Sequence, residues 1–399
     1  MILQSSGLTK ARLLAQSTPF PSPIDQAAPM STPIPTISVR PEAEGFKPYS
    51  PGLSIDEIKL RYGLAQVIKL ASNENPLGVS PVVRKVLETK AALAFRYPQW
   101  GYPRLRQAMA EALGVDVARI VAGNGSDEII DLLVRVLCRP GQDHVLAARP
   151  CFSVYGSQAR ICGVEFRQID LNPDYSLPLE RLAEAADERT ALVFVTSPDN
   201  PTGVAAKTDD LEALARALPK RTLLAVDEAY IHFVDDAERA SLLPRLASLP
   251  NVALLRTFSK AYGLAGLRLG MGVLPPELTN IMLRVQIPFS VNLLAEEAGI
   301  AALSDTIFYE ETLRVTREGR AYLMAELAAM NCAPQPSQSN FIMFTPPAEA
   351  KVVFEGLLQR GIIVRPLASY GLADKIRVSV GRMDENQAFV SALREVLGA

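Results

Sequence analysis

Val252-Ala-Leu-Leu-Arg-Thr-Phe-Ser-Lys-Ala-Tyr-Gly-Leu-Ala-Gly-Leu-Arg-Leu-Gly-Met-Gly-Val273 opens on four apolar residues and then puts a lysine, Lys260, into a loop. Val252-Ala-Leu-Leu255 is short, apolar and rich in Val and Leu, so it reads as a buried strand rather than a helix. The hydroxyls of Thr257 and Ser259 flank the lysine, and Gly263 and Gly266 let the chain double back so that Arg268 returns to the same place. Lysines usually keep their head groups in water. At the mouth of a buried sheet the amine loses proton affinity, which is what a lysine needs to form a Schiff base.

Similar short runs precede this one: His144-Val-Leu-Ala-Ala148, Ala191-Leu-Val-Phe-Val195 and Arg221-Thr-Leu-Leu-Ala-Val226, with Leu267-Arg-Leu-Gly-Met-Gly-Val273 closing the set. Helix-period segments such as Ile129–Leu137 and Asp210–Ala217 lie between several of them. Strands alternating with helices predict an α/β fold with a mainly parallel sheet covered on both faces, and function at the carboxyl ends of its strands. After about residue 290 the pattern becomes helices followed by isolated strands, Phe341–Phe344, Ile362–Val364 and Ile376–Val380, which predicts a smaller α+β domain. The expected division is an arm over 1–45, a segment over 46–70 that packs with the small domain, a large domain over 71–288 and the small domain over 289–399. In the arm, Pro19, Pro21, Pro23, Pro29, Pro33, Pro35 and Pro41 interrupt every helix or strand. It lacks an arginine-rich amphipathic helix and reads as an extension rather than a targeting peptide.

Three more loops carry chemistry. In Val121-Ala-Gly-Asn-Gly-Ser-Asp-Glu128, Gly123 and Gly125 allow a tight turn and Ser126 or Asp127 can cap the following helix. Free N–H groups backed by a helix dipole make a phosphate cradle, provided the carboxylates of Asp127 and Glu128 turn away. In Ser197-Pro-Asp-Asn-Pro-Thr-Gly203, two prolines stiffen the backbone and aim the amide of Asn200. In Val226-Asp-Glu-Ala-Tyr230, a carboxylate ends an apolar strand, where a cation or proton donor must face it. Each loop alone also reads as an ordinary turn, cap or salt bridge. Together they supply a phosphate cradle, a buried acid, hydrogen-bonding Asn and Tyr, and a strand-end lysine, the set that pyridoxal phosphate demands.

Bulk composition narrows the classes. The 399 residues are 48% hydrophobic and 21% charged with a net charge of −2, which argues against nucleic acid or an anionic membrane as a partner. No apolar run is long enough to span a membrane. Two histidines exclude a histidine-rich metal site and make a Ser/His/Asp triad hard to build. Cys138, Cys151, Cys162 and Cys332 show no paired spacing and read as buried free thiols in a reducing, cytoplasmic compartment.

Asn200-Pro-Thr-Gly203, Asp227-Glu-Ala-Tyr230 and Ser259-Lys260 through Arg268, in that order, resemble the fold-type-I pyridoxal-phosphate aminotransferases. The finer text is similar to the histidinol-phosphate aminotransferases. It comprises Ile68-Lys-Leu-Ala-Ser-Asn-Glu-Asn-Pro-Leu-Gly78, Arg96-Tyr-Pro98, Gly123–Glu128, Arg256–Arg268, Ser339-Asn-Phe341 and Ile376–Gly381. The likeness runs from about Tyr49 to the C-terminus. It implies an aspartate-aminotransferase-like fold and a homodimer. The implied reaction joins histidinol phosphate and imidazole-acetol phosphate to glutamate and 2-oxoglutarate.

The resemblance also implies roles. Lys260 holds the cofactor as a Schiff base and then moves a proton between Cα and the cofactor carbon. Asp227 keeps the pyridine nitrogen protonated, while Asn200 and Tyr230 bond the phenolate oxygen. Phe152 stacks on the ring where the family commonly has Tyr. Ser126, Thr257, Ser259 and Arg268, with N–H groups near Gly125 and Asp127, take the phosphate, and Tyr97 reaches the partner's phosphate across the dimer. Arg377 and Arg365 meet substrate anions, and Tyr49 and Asn73 fall at substrate-side positions; Arg365 also reads as a surface salt-bridge residue. Competing readings are an aromatic amino-acid aminotransferase, a phosphothreonine decarboxylase and a non-catalytic binding protein of the same fold. A nucleotide-binding dehydrogenase fails for want of a GxGxxG after a strand.

Overall fold

The computed structural model describes residues 38–46, 53–236 and 240–398. After β1 (Ile68–Lys69), seven strands form the main sheet: β2 (Ile120–Asn124), β3 (His144–Arg149), β4 (Glu165–Asp170), β5 (Thr190–Thr196), β6 (Leu223–Asp227), β7 (Val252–Thr257) and β8 (Leu269–Val273). Their order is β2-β8-β7-β6-β5-β3-β4. Neighbours from β7 through β4 pair in parallel, and β8 runs antiparallel to both β7 and β2. The reason is chain length: the Lys260 loop returns without a crossover helix, and a parallel return needs one. The sheet is thus mainly parallel, as the alternating pattern predicts.

Burial on both faces explains why the central strands are apolar throughout. Val193, Val195, Leu224, Val226 and Leu254 join one core cluster, while the alternate residues Leu192, Phe194, Leu223, Ala225, Ala253 and Leu255 join another on the opposite face. Each fully buried Leu or Val contributes about 1.5–3 kcal/mol. Two strands escape the sequence pattern. β4 lies at the sheet edge with exposed Glu165 and Asp170, so its alternation hides it, and β2 contains the stretch Val121–Asn124 that reads as loop. The expected strand at Leu267 starts instead at Leu269, because Ala265–Leu267 forms a 3₁₀ turn and Arg268 adopts left-handed geometry, φ 55°.

The smaller sheet, β11-β12-β9, joins β9 (Phe341–Phe344), β11 (Arg365–Pro366) and β12 (Ile376–Ser379) in antiparallel pairing. The expected strand Ile362–Val364 is divided: β10 (Ile362–Ile363) pairs with β1, and the chain then enters β11. Helices Thr306–Ala329, Ala350–Gln359 and Met383–Leu397 bury Leu327, Val353, Leu357, Phe389 and Leu393 against this body. Ile58 from the N-terminal segment packs with Leu358 and Ile363. Leu293–Ser304 falls beyond the expected boundary at 288, yet Ala295, Ala298 and Ala302 belong to the core under the large sheet.

Most of the expected arm, 1–37, lies outside the described residues, as does Tyr49. Where the arm is described, Pro41 does not interrupt a helix but begins one, Pro41–Glu44, at the first helical position, where a missing N–H costs nothing. All four cysteines are free; Cys138 and Cys332 are buried, but Cys151 and Cys162 are only half-buried, against the expectation for all four. No described helix is long and apolar enough to cross a membrane.

Candidate active site

The carboxyl ends of β5, β6 and β7 and the small sheet enclose a cavity of about 230 Å³. Lys260 and Asp227 both line it, together with Ser126, Phe152, Asn200 and Tyr230. Lys260 Nζ donates to the Ser72 carbonyl at 3.2 Å. Burial, reinforced by the nearby Arg377 guanidinium, lowers its pKa to about 8 from the usual 10.5. About a tenth of this amine is therefore neutral at pH 7, far more than of an ordinary lysine.

Asp227 ends β6 with only 3% of its surface exposed. Burial raises its pKa to about 6, opposed by hydrogen bonds from Tyr155 and the Ala229 amide. Tyr155 Oη donates to Asp227 Oδ2 at 2.7 Å. A phenol has one proton, so in its second contact, 2.8 Å from Thr196 Oγ1, the threonine is the donor. The Tyr155 ring stacks on Phe194 with centroids 4.3 Å apart, which locks its direction. Tyr155 and Thr196 are site residues that the sequence reading missed. Thr196 was within reach, since it directly precedes the Ser197 loop; Tyr155 sits in the helix Ser153–Ile161 and looks like any core aromatic.

Asn200 and Tyr230 line the same cavity. Asn200 Oδ1 accepts from Arg377 Nη1, and Arg377 Nη2 donates to the Ala71 carbonyl at 2.9 Å. Arg377 Nε is buried without a hydrogen-bond partner among the described residues. Tyr230 Oη accepts from Asn73 Nδ2 at 3.1 Å, and burial raises the Tyr230 pKa to about 12. Arg365 lines the same cavity and stands directly across from Arg377 in the β11–β12 register. It makes no ion pair with any described residue, so no described contact supports the surface salt-bridge reading. Cross-strand like charges repel. An anion between them would relieve that repulsion.

The phosphate cradle differs in detail from the expectation. The helix Gly125–Leu137 is capped by neither Ser126 nor Asp127; Asn124 is the cap residue, and Glu128 accepts from the Asn124 N–H at 2.6 Å. Glu128 does turn away, toward Ser290 Oγ at 2.9 Å. Asp127 does not: its carboxylate accepts from Arg268 Nη2 at 2.9 Å, because the left-handed turn at Arg268 carries the guanidinium over the helix start. Gly125 does not line the cavity. It leaves room, since a Cβ there would sit 2.7 Å from Arg268 Nη2. Gly270 does likewise, its Cβ position falling 2.3 Å from the Ser126 nitrogen.

First-turn amides without intrahelical acceptors, hydroxyls of Ser126, Thr257 and Ser259, and Arg268 converge at this end of the cavity. A Cβ-free cradle, a buried acid and an uncharged-capable lysine fit a flat, phosphate-bearing aldehyde such as pyridoxal phosphate. Tyr97 lies apart: it is 79% exposed and stacks on Phe289 at 4.8 Å. Among the described residues no His, Cys, Asp and Glu cluster could hold a metal ion.

Known proteins resemble this chain in sequence and in fold. The family model "Aminotransferase class I and II" matches residues 65–393. A histidinol-phosphate aminotransferase of Nitratidesulfovibrio vulgaris is 59% identical over 359 residues, covering 90% of this chain and 96% of that protein. One from Oleidesulfovibrio alaskensis is 56% identical over 364 residues, covering 90% and 95%. The crystal structure of histidinol-phosphate aminotransferase from Sinorhizobium meliloti in complex with pyridoxal-5'-phosphate superposes with a TM-score of 0.81 at 27% identity, covering 90% of this chain and 97% of that one. Aspartate aminotransferase from Thermus thermophilus shares the fold, with a TM-score of 0.78 at 24% identity and coverage of 90% and 100%. The chain belongs to the class I and II aminotransferases and, within them, to the histidinol-phosphate aminotransferase family.

Proposed function

We propose that this enzyme uses pyridoxal phosphate to transfer an amino group between histidinol phosphate and 2-oxoglutarate, or in reverse from glutamate to imidazole-acetol phosphate, in histidine biosynthesis. The observation that carries the substrate choice is the facing pair Arg365 and Arg377 on one cavity wall. Phenylalanine offers a single carboxylate. Histidinol phosphate brings a phosphate and glutamate brings two carboxylates, so each rewards two guanidiniums.

Pyridoxal phosphate, when bound, supplies an aldehyde that takes up the amine and a ring that disperses negative charge. Lys260 would hold the aldehyde; its depressed pKa lets Nζ, once free, take a proton from the substrate Cα. Asp227 would hold a proton on the ring nitrogen, and Phe152 would press on the ring face. Asn200 and Tyr230 would orient the ring through its oxygen. Ser126, Thr257, Ser259, Arg268 and the Asp127 amide would anchor the phosphate, fixing the ring before chemistry begins. The exposed aromatics Phe95, Tyr97 and Trp100 support a homodimer, with Tyr97 reaching the partner's cofactor. Free thiols support a cytoplasmic setting.

The test is a substrate panel scored by glutamate formed from 2-oxoglutarate. Histidinol phosphate should exceed phenylalanine in kcat/KM, and Arg365→Ala should cost it about ten- to a hundredfold while costing phenylalanine little. Comparable kcat/KM for both substrates favours the aromatic aminotransferase, and carbon dioxide release from a phosphorylated amino acid favours the decarboxylase.

A further inference from the structure

Asn73 is held more tightly than a substrate-side residue requires. Its backbone is left-handed, φ 54°, and it is 2% exposed. Its N–H donates to Ser379 Oγ at 2.8 Å, and Ser379 Oγ donates back to Asn73 Oδ1 at 2.9 Å. Asn340 Nδ2 donates to the Asn73 carbonyl at 3.1 Å. With Oδ1 engaged by Ser379, the carboxamide presents Nδ2, a donor, to Tyr230 Oη. The phenol oxygen accepts that bond, so its own proton is left to point elsewhere.

Ser379 lies two residues past Arg377 on β12, hence on the same face of the strand. Arg377 engages the acceptor atom of Asn200, which leaves the Asn200 amide free to donate. One strand of the small sheet therefore occupies the acceptors of both residues expected at the cofactor's ring oxygen, directly for Asn200 and through Asn73 for Tyr230. We infer that Ser379 is a positioning residue: by locking the Asn73 carboxamide, it reserves the Tyr230 hydroxyl proton for an oxygen anion bound in the cavity. Without Ser379 the carboxamide can turn its oxygen to Tyr230, which then spends its proton on Asn73. This inference rests on the proposed placement of the cofactor beside Tyr230.

The charged and titratable groups around Tyr230 are Lys260 from the β7–β8 loop, Asp227 from the end of β6, Arg377 from β12, and Tyr370. The experiment is a pH titration of the cofactor's absorbance in the holoenzyme. Losing a donor to an anion favours its protonated form, so the midpoint in Ser379→Ala should rise by about one pH unit. Ser379→Thr, which keeps the hydroxyl, should restore the wild-type midpoint. Asn73→Asp presents only acceptors to Tyr230 and should raise the midpoint as well, which gives a second route if Ser379→Ala folds poorly. Tyr230→Phe should raise it too, and adding Ser379→Ala to Tyr230→Phe should add nothing. An unchanged midpoint in Ser379→Ala or Asn73→Asp, or an equal rise from Ser379→Ala with Phe at 230, overturns the role of Ser379. If Tyr230→Phe alone leaves the midpoint unmoved, the site reading beneath it fails instead.

Discussion

At one end of the cavity Asp227 is 3% exposed and held by a phenol and an amide; at the other, Arg268 and Asp127 pair with side chains 46% and 43% exposed. At the dry end burial itself sets protonation: it pushes Asp227 up to about 6 and Lys260 down to about 8. At the wet end water and salt screen the charges, and position matters more than protonation. A substitution at the dry end should therefore change rate and pH profile, and one at the wet end should change how firmly the phosphate is held.

The largest effect belongs to Lys260. Lys260→Ala removes the one lysine among the described residues that line the cavity with Asp227, and kcat should fall by at least about 10²–10⁴-fold, the range for loss of a positioned proton carrier. The variant should keep the wild-type circular dichroism spectrum and still take up the cofactor non-covalently. Single-turnover transamination at the wild-type rate would assign the proton transfer to another group.

Arg268→Gln probes the wet end. It deletes a cation and also removes the partner of the Asp127 carboxylate, which would then repel the phosphate of the proposed cofactor. Cofactor affinity, measured by equilibrium dialysis, should weaken about ten- to a hundredfold, with kcat at saturating cofactor changing far less. Asp127→Asn in the same chain should recover part of the loss, and wild-type affinity should weaken with added salt. A drop in kcat with affinity intact would mean that the two ends are not separable in this way.

Much of this contrast was legible before the fold was known, for a physical reason. Asp227, Asn200 and Lys260 sit where apolar strands stop, and a polar group at that junction must find a partner or a ligand, so each is conspicuous in the sequence. The parallel sheet was legible because both its faces are buried. Side-chain direction was not. Nothing in the order Gly125-Ser-Asp-Glu128 says that Glu128 closes the helix start while Asp127 reaches Arg268, since that choice depends on a left-handed residue more than a hundred positions later. Tyr155 stayed hidden because helical spacing makes it a core aromatic, and only the sheet's geometry brings its hydroxyl under Asp227.

Tyr155 also gives the smallest effect and the sharpest test of the dry end. Its hydrogen bond favours ionised Asp227, so Tyr155→Phe should raise the carboxyl's pKa. In the proposed role Asp227 works as an anion, so activity falls as pH drops through its pKa in the loaded enzyme; a higher value moves the acidic limb of the kcat profile upward. A neutral hydrogen bond contributes about 0.5–1.5 kcal/mol, which corresponds to a displacement of about 0.4–1 pH unit. Well above that limb the variant should run at nearly the wild-type rate, whereas within it the variant should fall about two- to fivefold behind. Phe keeps the stacking on Phe194, so packing loss would lower the rate equally at every pH. A uniform drop would therefore make Tyr155 only a structural neighbour, and a displaced limb would show that a neutral phenol tunes the buried acid.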